Sequence, residues 1–269
     1  MKKISQVLMC RPIYFQIKYV INPWMESQKV DETKALEQWE KLYQTYKDLE
    51  IDVQLIEQQE VAPDMVFTTD IGLTKNKKIL MSNFATRERQ EEERIFETWF
   101  TDNGYQIERL PDDCQFEGGD FQKWNGSMFG GHGFRTTENS MERVGRGLDF
   151  EVIPLKLIDS RFYHLDTCLL PISDSLVFYY QDAFAPESVA ELKKRVSNLV
   201  PFSQRQAFGF MSNSVVTDGH VVCQNPDIEF TQILQENGYD VIEIDMSEFN
   251  KSGGGIHCLT QILQENAVV

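Results

Sequence analysis

Five times along this chain of 269 residues, a helix-compatible stretch ends in a polar turn and runs straight into a short strand-like one. That recurrence limits the fold more than any single motif. In the first copy Asp31 stands where a helix N-cap is wanted. Leu36, Trp39, Leu42, Tyr43 and Tyr46 follow at helical spacing, and residues 51–56 then alternate apolar with polar. Residues 91–102 lead through Asn103-Gly104 into 105–110, and 138–146 lead through Gly147 into 150–155. Residues 186–198, opened by a proline suited to a first helical turn, lead into 199–202. Residues 227–237 lead through Gly238 into 239–244. Gly or Asn at a helix end supplies the residue that a C-cap prefers.

Between these units lie four stretches with hairpin patterning, 65–83, 116–130, 168–180 and 207–223, each with a polar turn. A fifth hairpin has to be assembled from a strand at Val7-Leu8-Met9-Cys10 and a buried strand read over 258–263. Five hairpin-helix-strand repeats with shared termini predict an α/β fold of five blades about a pseudo-fivefold axis. The prediction is one α/β-propeller domain over residues 1–269, closed by the N- and C-terminal strands. A generic α/β sheet carries similar punctuation but does not ask for five equal periods. One heptapeptide bears on the reading, because Thr-Gln-Ile-Leu-Gln-Glu-Asn occurs at 231–237 and again at 260–266. A glycine and a strand follow the first copy, which reads as helix; the second continues from a glycine turn and begins as strand.

The repeat also places chemistry. Asp70, Glu117, His164, Asn213 and Cys258 follow one another at intervals of 47, 47, 49 and 45 residues, so rotation about a common axis would gather them. A thiol beside an imidazole is an activatable nucleophile with an acid and a base at hand. Carboxylates next to it select a cation, and planar bidentate carboxylates match a guanidinium best. Asp166 lies two residues beyond His164, on the same side of an extended chain. The run Ser252-Gly253-Gly254-Gly255 ahead of Cys258 lets backbone approach a ligand closely, although alone it fits an inert buried cysteine. No CxxC, HxxxH or HExxH spacing is present, so neither a metal nor another cofactor is expected.

Lys+Arg 26 against Asp+Glu 42 leaves −16, which argues against nucleic acid and membrane as partners and suits a small cationic guanidino substrate. Five cysteines without a pairing pattern, no visible secretory signal and no bilayer-length apolar run predict a reduced, cytoplasmic protein. The sequence leaves room for a homo-oligomer.

Four ordered motifs resemble the guanidine-modifying enzymes: Phe116-Glu117-Gly118-Gly119-Asp120, Phe134-Arg135-Thr136, His164-Leu165-Asp166-Thr167 and Gly253-Gly254-Gly255-Ile256-His257-Cys258. These are arginine deiminases, dimethylargininases and amidinotransferases, whose fold is the five-bladed α/β propeller, or pentein. The resemblance covers essentially the whole chain. It implies that Cys258 attacks the guanidinium carbon to give a thiouronium adduct. His164 would protonate the departing amine and then activate water, with Glu117 supporting it. Asp70 and Asp166 match the aspartates that hold the guanidinium, Arg135 and Arg87 the anchors of an α-carboxylate, and Asp64 an aspartate near the α-amino end. Asn213 has the register but no motif, which favours a structural role.

The segment Ile21-Asn22-Pro23-Trp24-Met25 resembles a bacterial branch that includes the arginine dihydrolase domain, and Asn22 is carried over as a substrate contact. In that branch an asparagine stands where this chain has Asp70. The difference implies single hydrolysis of L-arginine or an Nω-methylated arginine to citrulline. Amidinotransfer to an amine and dihydrolysis to ornithine are the alternatives. The glycines before Cys258 would let the backbone pass close to the guanidinium.

Overall fold

The computed structural model describes residues 2–267; positions 1, 268 and 269, at the ends of the span read as one domain, lie outside the described residues. All five helix-to-strand repeats form. In the first, β1 (Lys2–Cys10) is followed by α1 (Glu32–Asp48) and β2 (Asp52–Ile56). The second has β3 (Gly72–Lys75), β4 (Lys78–Met81), α2 (Gln90–Asp102) and β5 (Gln106–Arg109). The third has β6 (Phe121–Trp124), β7 (Ser127–His132), α3 (Ser140–Leu148) and β8 (Val152–Lys156). The fourth has β9 (Leu169–Pro171), β10 (Leu176–Tyr179), α4 (Pro186–Arg195) and β11 (Asn198–Pro201). After the short helix α5 (Gln204–Phe208) come β12 (Val215–Thr217), β13 (His220–Cys223), α6 (Ile228–Glu236) and β14 (Asp240–Glu243). The one-turn helix α7 (Ser247–Asn250) and β15 (Gln261–Ala267) end the described chain.

Among the described residues the strands make five three-stranded sheets, ordered β15-β1-β2, β3-β4-β5, β6-β7-β8, β9-β10-β11 and β12-β13-β14. In each, the middle strand is antiparallel to one neighbour and parallel to the strand after the helix. A parallel partner needs a crossover, and the repeated helix is that crossover.

The chain divides into two compact units, Thr69–Phe202 and Met1–Thr68 with Ser203–Val269. The first holds sheets β3-β4-β5, β6-β7-β8 and β9-β10-β11. Its α3 buries Met141, Val144 and Leu148, spaced for one helical face, in a cluster with Leu80, Phe116, Phe121 and Met128. Each such side chain contributes about 1.5–3 kcal/mol when fully buried. The second unit holds the other two sheets. Its central strand β1 buries Val7, Leu8, Met9 and Cys10, and α1 buries Trp39, Leu42 and Tyr46. The side chain of Asp31 caps α1 by accepting the Lys34 N–H.

The repeated heptapeptide adopts both structures, since α6 contains 231–236 and β15 contains 261–266. In the helix Phe230 and Leu234 turn inward; in the strand Gln261 and Leu263 do. Partners decide the state of an otherwise identical string. Two expectations are corrected. Cys258 lies in a turn, and the strand starts three residues later at Gln261. Ahead of β12 the chain forms α5, because Ser203 and Gln206 make a reciprocal capping box that satisfies the orphan donors of the helix start. No helix among the described residues is long and apolar enough to cross a membrane.

Candidate active site

The five residues in register share one local position. Asp70 lies in the 3-10 turn Thr68–Ile71 just before β3, Glu117 N-caps the turn Gly118–Asp120 before β6, and His164 N-caps Leu165–Thr167 before β9. Asn213 and Cys258 lie in the turns before β12 and β15. Each repeat therefore presents one polar side chain where its hairpin begins, and all five are buried.

Within Thr69–Phe202, His164 stands between two carboxylates. Its Nε2 is 2.8 Å from Glu117 Oε2 and its Nδ1 is 3.4 Å from Asp70 Oδ1. A Cβ on Gly119 would lie 2.7 Å from Asp70 Oδ1 and 2.9 Å from His164 Nδ1, so only glycine leaves room for the pair. Arg135 Nη1 lies 3.2 Å from Glu117 Oε2, and its guanidinium sits over the Tyr163 ring. Asp166 is buried in the turn after His164, and Asp120 accepts the Leu165 N–H at 3.1 Å.

Burial alone would strip the His164 proton, but the charges of Asp70 and Glu117 outweigh it and push the imidazole up to about 9. Burial raises Glu117, yet Arg135 and His164 more than reverse this and hold it at about 2. Asp120, with burial dominant, is pushed up to about 7. Oxygens of Asp70 and Glu117 and a His164 nitrogen lie within 4.8 Å of one another, a spacing a metal ion could use. Guanidinium groups already lie on both carboxylates, Arg89 on Asp70 and Arg135 on Glu117.

These shifts fix how stability responds to pH. The His164 contribution is complete below its ordinary 6.5 and is lost as pH rises through about 9. That of Glu117 is complete above its ordinary 4.5 and is lost as pH falls through about 2. Neutral Asp120 favours the fold most below 3.8, and this fades as pH rises to about 7. Melting temperature is therefore expected to fall between pH 6.5 and 9, and His164→Gln to flatten that limb. A native protein with a level profile across this range would contradict the assignment.

In the other unit, Cys258 is held from both sides. Asn213 Nδ2 donates to its Sγ at 3.1 Å, and the Cys258 N–H donates to Asn213 Oδ1 at 3.2 Å. Beyond it, Thr260 Oγ1 donates to the Ile256 carbonyl and lies 2.7 Å from the Tyr46 hydroxyl. His257 is half-buried. A Cβ on Gly254 would lie 2.5 Å from a Phe67 ring carbon, so the glycine accommodates that ring. Gly253, with φ 85°, takes the left-handed conformation that the turn requires.

The remaining expected residues divide. Asp64 is buried in the 3-10 turn Pro63–Val66. The Asn22 side chain accepts the Trp24 N–H and donates to the Ser252 carbonyl at 3.0 Å, which ties it to the backbone just before the glycines. Arg87 is exposed. The buried cation of that stretch is Arg89, which sequence reasoning passed over. It donates to Asp70 Oδ2 at 2.5 Å and to both oxygens of Glu92 at 2.9 and 2.7 Å, with its guanidinium over Phe84. The i,i+3 pairing of Arg89 and Glu92 at a helix start was the signal that could have found it.

The family model described as N,N dimethylarginine dimethylhydrolase, eukaryotic, matches residues 14–264. The bifunctional arginine dihydrolase/ornithine cyclodeaminase ArgZ of Synechocystis sp. is 38% identical over 262 residues, 95% of this chain but 37% of ArgZ. The chain thus spans well under half of that relative's length. The N(G),N(G)-dimethylarginine dimethylaminohydrolase of Mycobacterium tuberculosis is 33% identical over 255 residues, covering 94% of this chain and 83% of that protein. A crystal structure of the N-terminal domain of ArgZ bound to substrate matches with a TM-score of 0.92 at 36% identity, over 96% of this chain and 98% of that one. The four ordered motifs, the five repeated sheets and these likenesses agree: the chain belongs to the N,N-dimethylarginine dimethylhydrolase family of the guanidine-modifying, or pentein, superfamily.

Proposed function

We propose that this chain hydrolyses the guanidino group of L-arginine or an Nω-methylated arginine to citrulline, releasing ammonia or methylamine. The reading takes residues 1–269 as one domain whose five repeats close about a pseudo-fivefold axis. Cys258 as thiolate attacks the guanidinium carbon. His164 gives its proton to the departing amine as that C–N bond breaks, leaving a thiouronium adduct. Neutral His164 then takes a proton from water, the hydroxide adds to the same carbon, and the C–S bond breaks to free citrulline and the thiolate. Asp70 and Asp166 hold the guanidinium, Glu117 supports His164, and Arg135 faces the α-carboxylate, with Asp64 near the α-amino end. The observation that carries the reading is His164 kept protonated between Glu117 and Asp70, an acid prepared for a leaving amine.

Dihydrolysis to ornithine is the second reading, favoured by the likeness to ArgZ, an arginine dihydrolase. The products separate the two. Mass spectrometry after incubation with arginine, methylated arginines, agmatine and guanidinoacetate is expected to show citrulline with ammonia or methylamine. Ornithine would assign dihydrolysis, and an amidine transferred to added glycine would assign amidinotransfer. No turnover of any guanidine would overturn the proposal.

A further inference from the structure

We infer that Asn213 is the positioning residue of the nucleophile: its carboxamide fixes the rotamer of Cys258 and favours the thiolate over the thiol. The inference rests on the reading above that Cys258 is the attacking group. Asn213 makes three contacts with two consecutive residues. Its carbonyl accepts the His257 N–H at 3.3 Å, its Oδ1 accepts the Cys258 N–H at 3.2 Å, and its Nδ2 donates to Cys258 Sγ at 3.1 Å. The orientation of the amide follows from this geometry. A main-chain N–H needs an acceptor, so the oxygen must face it and the NH2 must face the sulfur. An N–H aimed at sulfur stabilises the anion more than the neutral thiol.

The turn that carries Asn213 is built to hold it still. Phe210 takes a left-handed conformation with φ 55°, uncommon for a bulky residue. Its carbonyl accepts both the Asn213 N–H at 3.0 Å and Nε2 of the buried Gln224 at 3.1 Å, which locks the turn. Gly255 completes the cradle. A Cβ there would lie 2.7 Å from Gln224 Nε2 and 3.0 Å from Asn213 Oδ1. A carboxamide is the side chain of this size that offers a donor and an acceptor side by side. Leucine keeps the shape and loses both, and aspartate keeps the acceptor while setting a second oxygen against the sulfur.

Alkylation of Cys258 by iodoacetamide, read by peptide mass spectrometry across pH 6 to 10, tests the inference without relying on turnover. Asn213→Leu is expected to cut the rate at pH 7 about tenfold, equivalent to a thiol that ionises about one pH unit later. Asn213→Asp, the closer in shape, covers a Leu variant that fails to fold, and is expected to cut the rate at least as much. The same variants should lose kcat with KM little changed. A pure packing role would lower the melting temperature and leave the alkylation profile where it was, which would overturn the inference. A normal alkylation shift alongside full activity of Cys258→Ser would instead sink the catalytic reading and leave the cradle intact.

Discussion

Cys258→Ser is expected to lower turnover by about 10⁴-fold or more while arginine still binds. The substitution keeps the shape of the side chain, and the main-chain bond from residue 258 to Asn213 Oδ1 does not depend on sulfur. What is lost is the chemistry. A serine hydroxyl ionises far above neutral pH, so the anion that attacks is not formed. In the proposed mechanism substrate recognition rests on Asp70, Asp166 and Arg135, which the change does not touch. Citrulline formation measures the first effect and calorimetric titration with arginine the second. A serine variant retaining a tenth of native turnover would remove Cys258 from the mechanism.

The second large effect falls on stability. Replacing Arg89 by methionine is expected to destabilise the protein by about 3–5 kcal/mol, because it leaves two buried carboxylates without their shared cation. Arg89, Asp70 and Glu92 have side chains at most 4% exposed, so water cannot screen the loss. For a chain of this length that corresponds to a fall in melting temperature on the order of 10 °C. A triple variant that adds Asp70→Asn and Glu92→Gln should recover most of the lost stability. A melting temperature of Arg89→Met within 2 °C of native would show that the guanidinium contributes little. Asp70 loses its clamp in the same variant, so turnover should drop as well.

The architecture was legible because each repeat announces itself twice, by a capped amphipathic helix and by the alternating strand behind it. The heptapeptide at 231–237 and 260–266 was resolved by what flanks each copy, not by its letters. The 47-residue register was legible for the same reason, since each polar side chain stands at the start of a hairpin. Other features depend on geometry that no spacing encodes. Arg87 and Arg89 are two residues apart and chemically alike. Only the turn Arg87–Arg89 ahead of α2 decides that the second points inward. Asn213 read as a structural residue because no motif accompanies its register, although its side chain bonds Cys258. The packing of the Phe67 ring against Gly254 likewise joins residues that no motif connects.

The sheet β15-β1-β2 joins residues far apart in the chain, pairing Leu8 with Gln261 and Lys3 with Asn266. A contact of such separation must close most of the chain before it gains anything, so it forms late and slows folding. Cys258 lies three residues ahead of β15, in the turn that this pairing anchors. The chain therefore cannot present its thiol correctly until its most distant strands have met. Partly folded molecules would on this account be catalytically silent, and the recovery of turnover during refolding would time the last strand's arrival.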